Sequence, residues 1–222
     1  MANPIMDSET ARDDMIARQI RPWNVLTERT LGALRRVRRE EFVPEKHRDL
    51  AFADAQIPLG NGEMMPEPKV DARMMEELKL RGGERALLAG AGGGYLAALL
   101  AEVCAHVHVV EEDAHLLEFA RENLRRAGAK NVTLEAGDAH AGWGGDGEFD
   151  AVALARSLPK IGEDWTRALA AGGRLVGVEG ELPAMEAVRL HKHEDGRVMR
   201  ESLFETVAPR FRRARQEQKF EF

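Results

Sequence analysis

A chain of 222 residues with 44% hydrophobic and 32% charged side chains can bury a full core, and is long for one domain without being long enough for two large ones. Its net charge of −6 argues against a nucleic-acid partner, whose phosphate backbone calls for a basic excess. A single cysteine, Cys104, excludes an internal disulfide and a cysteine cluster for metal, and without a membrane-length apolar run or a signal-peptide core the chain reads as soluble and cytoplasmic.

Residues 1–8 are polar or small and read as a frayed end. From Glu9, residues Met15, Ile16, Gln19 and Ile20 recur at helical spacing, in a helix that must end before Pro22. A second helix starts at Glu28 and carries Leu31, Leu34 and Val37. The basic run Arg35–Arg39 abuts Glu40 and Glu41, the pattern of a solvated helix face. Residues 45–62 read as short helix and loop. Glu63–Pro68 is held extended by Pro66 and Pro68, and a helix from Val70 to Leu80 follows, its Met74 and Met75 serving as adaptable core filler. This divides the chain into an N-terminal helical extension with an adjoining segment, 1–80, and a second unit, 81–222.

That second unit opens on Arg85–Tyr95, an apolar run that stops at Gly90, Gly92, Gly93 and Gly94 before a helical pattern begins. Glycines there allow positive φ and close approach of a ligand to bare main chain, and the following helix offers unpaired N–H groups. A glycine turn alone is equally a flexible strand-to-helix loop. The next strand, His106–Glu111, ends in an acid 21 residues beyond Gly90, the spacing of a ribose-binding carboxylate in a doubly wound sheet, although any single strand-end acid can simply be solvated.

Beyond it, Asp113 can cap a helix that presents Leu116, Leu117, Ala120 and Leu124 on one face and closes at Gly128. Strand patterns cover Asn131–Ala136, Phe149–Leu154 and Gly173–Val178, with a helix at Ile161–Ala170. Asp138 is placed either to accept a hydrogen bond from an adenine amino group or to shape a turn. Cys104 falls in an apolar helix pattern and reads as a structural thiol, while His106 with His108, and His191 with His193, lack a third metal ligand nearby. The tail breaks the rhythm: Ala187–Lys192 and Val198–Val207 are strand-like around Asp195-Gly196, a hairpin signal. The pattern is α/β, a doubly wound and mostly parallel seven-stranded sheet with a C-terminal antiparallel hairpin, preceded by a helical layer. That is the architecture of S-adenosylmethionine-dependent methyltransferases. A nicotinamide-dependent oxidoreductase, the alternative of another class, would end in a further parallel crossover.

With these elements in place the sequence resembles the protein-L-isoaspartate O-methyltransferase family from about Ala11 to Val207. The likeness rests on Met15–Ile20, Arg38–Pro44, Ala51–Asp54, Ile57–Gly60, Val132–Asp138, Gly142-Trp143, Phe149–Ala151 and Gly172–Val176. The resemblance implies S-adenosylmethionine as cofactor, no metal, and methyl transfer to the carboxylate of an isoaspartyl residue in a damaged protein or peptide. Gly90, Ala91, Gly92, Gly94, Tyr95, Glu111, Glu112, Gly137, Asp138 and Ala139 would hold the cofactor, and Met64, Met65, Pro66, Glu67 and Pro68 would form the substrate segment. Two departures stand out. Pro66 takes the place of a serine in the family's Gly-x-x-Ile-Ser-x-Pro, which leaves no catalytic side chain assigned; in the cofactor turn, Leu88 replaces an acid while Ala91 and Gly93 replace hydroxyl residues. Both departures are what a diverged paralogue with another acceptor, or none, would show.

Overall fold

The computed structural model describes residues 7–138, 140, 142–145 and 147–211. Helix α1 (Ser8–Met15) runs into a π turn at Ile16–Ile20, and α2 (Glu28–Arg36) follows. The Thr27 side chain caps α2 by accepting from the Thr30 N–H. A short antiparallel hairpin then forms from β1 (Ile57–Gly60), where the sequence pattern gave short helix and loop, and β2 (Glu63–Met65), which falls in the segment expected to be extended. Its turn needs left-handed backbone at three successive residues, Gly60, Asn61 and Gly62, and two glycines and an asparagine supply it at low steric cost. Helix α3 (Pro68–Glu77) begins two residues earlier than the spacing predicts, because proline fits the first helical position.

The sheet consists of β3 (Arg85–Ala89), β4 (His106–Glu111), β5 (Val132–Ala136), β6 (Phe149–Leu158), β7 (Leu169–Glu181), β8 (Ala184–Lys192) and β9 (Val198–Glu205), in the order β5-β4-β3-β6-β7-β8-β9. Strands β3 to β7 pair in parallel and β8 and β9 antiparallel, which matches the hairpin expected at Asp195-Gly196 and excludes a final parallel crossover. Helices α4 (Tyr95–Ala101) and α5 (Ala114–Arg126) connect the first strands, and α6 (Glu163–Arg167) lies between β6 and β7. The Asp113 carboxylate caps α5, accepting from His115 N at 2.8 Å and Leu116 N at 3.2 Å. Gly128 ends the helix at φ 73°. The helix expected over 161–170 is shorter because Leu169 already pairs with Phe149, and β6 runs on to Leu158.

One apolar cluster extends from Met15 through the hairpin, α3 and α4 to the sheet residues Ala153 and Val176, and a second fills the opposite face around Trp165 and Phe149. Burial on both faces explains the continuous apolar run of β3. Cys104 lies just past the end of α4, and burial pushes its thiol up to about 12. His106 meets the Thr133 hydroxyl at 3.0 Å and His108 meets Glu135 at 2.8 Å, while His191 and His193 stack edge to face. Among the described residues no helix is long and apolar enough to cross a membrane.

Candidate active site

The turn after β3 brings Gly90, Ala91 and Gly92 against the β1–β2 hairpin, so that a single pocket is lined by the glycines, Tyr95, Met64, Met65 and Pro66. Gly92 sits at φ 52°, and a Cβ on Gly93 would lie 2.5 Å from the Phe42 carbonyl oxygen. The first position tolerates few side chains on backbone grounds, the second none without moving the neighbouring main chain. Gly94 is turned toward α5, where Ala120 and Leu124 would meet its Cβ. Glu67 holds the position before α3 without a side-chain capping bond and Pro68 opens the helix, both outside the lining.

Glu111, at the end of β4, is 2% exposed. One of its oxygens accepts from the Ala91 N–H at 2.8 Å, which ties the acid to the glycine turn, and the other accepts from Asp113 N at 2.9 Å. Both oxygens also accept from Nη2 of Arg156 on β6, at 3.0 and 3.1 Å. The same guanidinium reaches Glu112 at 2.9 Å and Glu63 of the hairpin at 3.5 Å. Arg156 thus draws together the neighbouring carboxylates Glu111 and Glu112 and the distant Glu63. Gly137 hydrogen-bonds the Glu111 carbonyl, and Asp138 accepts from the His140 N–H at 3.1 Å, a turn contact. Ala139 lies outside the described residues, as do residues 212–215 of the second basic cluster of the sequence, Arg210–Arg215; Arg210 lies 3.6 Å from Glu181.

The segment Met64–Pro68 has a buried support that the charge pattern concealed. Arg39, in the run read as a solvated face, is 0% exposed. Its guanidinium donates to Asp71 at 3.0 Å, to the Ala51 carbonyl at 3.0 Å and to the Pro66 carbonyl at 2.6 Å, and lies over the Tyr95 ring at 4.8 Å from the centroid. Burial raises the Asp71 carboxyl to about 6 against the opposing pull of Arg39, and burial likewise raises the Tyr95 phenol. The other three arginines of the run are exposed and paired as a surface face should be: Arg35 with Glu28, Arg36 with Glu102, Arg38 with Glu41. Lys69, the cation nearest in sequence to Pro66, is engaged elsewhere, 2.7 Å from Asp54 and over the Trp23 ring.

The bare glycine turn and the buried carboxylate beside it are the donor and acceptor set that an adenosine ligand needs, so the residue types fit the implied cofactor. The pocket, with Arg156 among its lining residues, holds about 40 Å³, below the ~300–1,000 Å³ of ligand pockets. Roomier hollows of about 610 and 630 Å³ lie away from the glycine turn, one by Arg36 and Lys130 and one by Pro183 and Arg200.

The family model described as Protein-L-isoaspartate(D-aspartate) O-methyltransferase (PCMT) matches residues 10–208. Protein-L-isoaspartate O-methyltransferase 1 of Rhodopseudomonas palustris (strain HaA2) is 39% identical over 192 residues, covering 84% of this chain and 78% of the relative. The protein-L-isoaspartate O-methyltransferase of Methylorubrum populi is 40% identical over 183 residues, covering 82% and 86%. A Plasmodium falciparum structure bearing the same family label, solved in complex with S-adenosyl-L-homocysteine, superposes with a TM-score of 0.80 at 18% identity, over 93% of this chain and 99% of that one, and shares the fold. The chain belongs to the protein-L-isoaspartate(D-aspartate) O-methyltransferase family.

Proposed function

We propose that this chain transfers a methyl group from S-adenosylmethionine to the carboxylate of isoaspartyl residues in damaged proteins or peptides, a repair reaction of the cytoplasm. The observation that supports it is the meeting, in one pocket, of the glycine turn and the hairpin segment Met64–Pro66, with the Glu111 carboxylate bonded to the turn from behind through the Ala91 N–H. The bound cofactor supplies a methyl group on a sulfonium. An acceptor carboxylate is ionised at neutral pH and needs no general base, so what the protein contributes is proximity, alignment and exclusion of water. Glu111 accepts the ribose hydroxyls, and the backbone at Gly90–Gly92 lies against the rest of the ligand. Met64, Met65 and Leu59 give the pocket an apolar wall that keeps water from the reacting atoms. Arg39 holds the Pro66 carbonyl and so fixes the segment.

Pro66 brings neither a side-chain donor nor a backbone N–H, and Tyr95 is the one hydroxyl residue of the lining among the described residues. This favours slow transfer to isoaspartate and, as a second reading, a different carboxylate acceptor. The test follows labelled methyl from S-adenosylmethionine into an isoaspartyl peptide and its aspartyl twin. A base-labile methyl ester on the isoaspartyl peptide alone supports the proposal. Transfer to neither peptide, by protein that binds S-adenosylhomocysteine, supports the second reading.

A further inference from the structure

A carboxylate offers about four lone-pair sites, and those of Glu111 are all in use. Two hold the backbone N–H groups of Ala91 and Asp113, which the glycine turn and the α5 cap fix in place. The other two hold Nη2 of Arg156. A ribose diol arriving at Glu111 can displace only the arginine, because only the arginine leaves by side-chain rotation. Its stem also stands in the way: a Cβ on Gly90 would come within 3.5 Å of the Arg156 Cγ and 3.7 Å of its Nε, so the side chain lies across the mouth of the turn.

We infer that Arg156 competes with the cofactor's ribose for Glu111 and thereby sets the affinity of the site. This rests on the reading of Glu111 as the ribose acceptor. The exchange is feasible because the guanidinium keeps partners when it leaves, with Glu112 at 2.9 Å and Glu63 at 3.5 Å. A buried cation stripped of every carboxylate would not leave. The strand end that carries Arg156 is itself pinned. Ser157 bonds the 208–211 segment through its N–H to Pro209, its hydroxyl to Ala208 and its carbonyl to the Phe211 N–H, and the Phe211 ring lies 6.0 Å from the guanidinium. The backbone therefore stays put while the side chain exchanges partners. An adenosine ligand without ribose hydroxyls cannot replace the bonds that Arg156 gives up, which makes the arginine a selector for the diol as well as a competitor.

The test is calorimetric titration of wild type and Arg156→Met with S-adenosylhomocysteine, and of Arg156→Met with its 2′,3′-dideoxy analogue. The inference expects Arg156→Met to bind S-adenosylhomocysteine at least about tenfold more tightly, the factor by which a site closed nine-tenths of the time weakens its ligand. Unchanged or weaker binding by the folded variant, with the diol still preferred over the dideoxy analogue, overturns the inference and leaves the cofactor reading intact. Equal binding of the two ligands, or binding of neither, refutes Glu111 as ribose acceptor and the inference with it. Should Arg156→Met not fold, the Nε–Hε resonance of Arg156 in the wild type, assigned through its own side chain, decides the matter. It should move on saturation with S-adenosylhomocysteine, and a resonance that stays in place contradicts the exchange.

Discussion

Replacing Arg39 by methionine removes the buried support of the substrate segment. The substitution leaves Asp71 without its counter-charge and the carbonyls of Ala51 and Pro66 without donors, in a site where the arginine is wholly buried. Breaking one side of a buried ion pair costs about 3–5 kcal/mol. Asp71 is already pushed up to about 6 by burial, so it can take a proton at neutral pH, which holds the loss near the lower figure. With an urea dependence of about 2 kcal/mol per molar, the denaturation midpoint should fall by roughly 1.5 M. Arg39→Met/Asp71→Leu should recover most of that, since an apolar pair of similar volume needs no desolvation of charge. In methyl-transfer assays on the folded variants, release of the Pro66 carbonyl should raise KM for the peptide more than it lowers kcat. A midpoint shift below about 0.5 M for Arg39→Met would refute the assignment of Arg39 as a structural clamp.

Asp71 also gives a pH signature. Its folded pKa lies above the ordinary carboxylate value, so the stability it contributes is full below about 4 and is lost as pH rises through 6; the stability of wild type relative to Asp71→Asn should therefore grow as pH falls from 7 to 5, and a shrinking difference would mean the carboxyl is depressed instead. Glu111→Ala should weaken S-adenosylhomocysteine binding by about 1.5–3 kcal/mol, the range for hydrogen bonds to a charged group, and unchanged calorimetric affinity would count against it. Gly93→Ala should lower the melting temperature, since its Cβ would meet the Phe42 carbonyl oxygen at 2.5 Å and overpacking costs about 1–3 kcal/mol; a neutral result would show that the turn can shift. Pro66→Ser should raise turnover on an isoaspartyl peptide by about 10²-fold, the worth of one oriented donor, and an equal rate would show that the hydroxyl is not needed.

Much of the sheet was legible because its signals are local. The glycine cluster, the acid ending β4, the Asp113 cap and the Gly128 stop each depend on backbone chemistry within a few residues. The β1–β2 hairpin was missed because its strands are only four and three residues long and its left-handed residues looked like loop. Arg39 was hidden inside a charge run, where composition says surface and only tertiary packing singles out one of four arginines. Arg156 carried a readable sign, a lone cation in the mostly apolar β6, since a buried arginine must find a carboxylate. Which carboxylates it finds follows from three separate chain segments, and spacing in sequence does not reveal that.

The most direct test of the account is the structure of the complex with S-adenosylhomocysteine. The account places the ribose hydroxyls on Glu111, the rest of the ligand against the main chain of Gly90–Gly92, the sulfur facing Met64–Pro66, and the Arg156 guanidinium turned to Glu112 and Glu63. A ligand seated in another hollow, with Arg156 still bonded to Glu111, would contradict it.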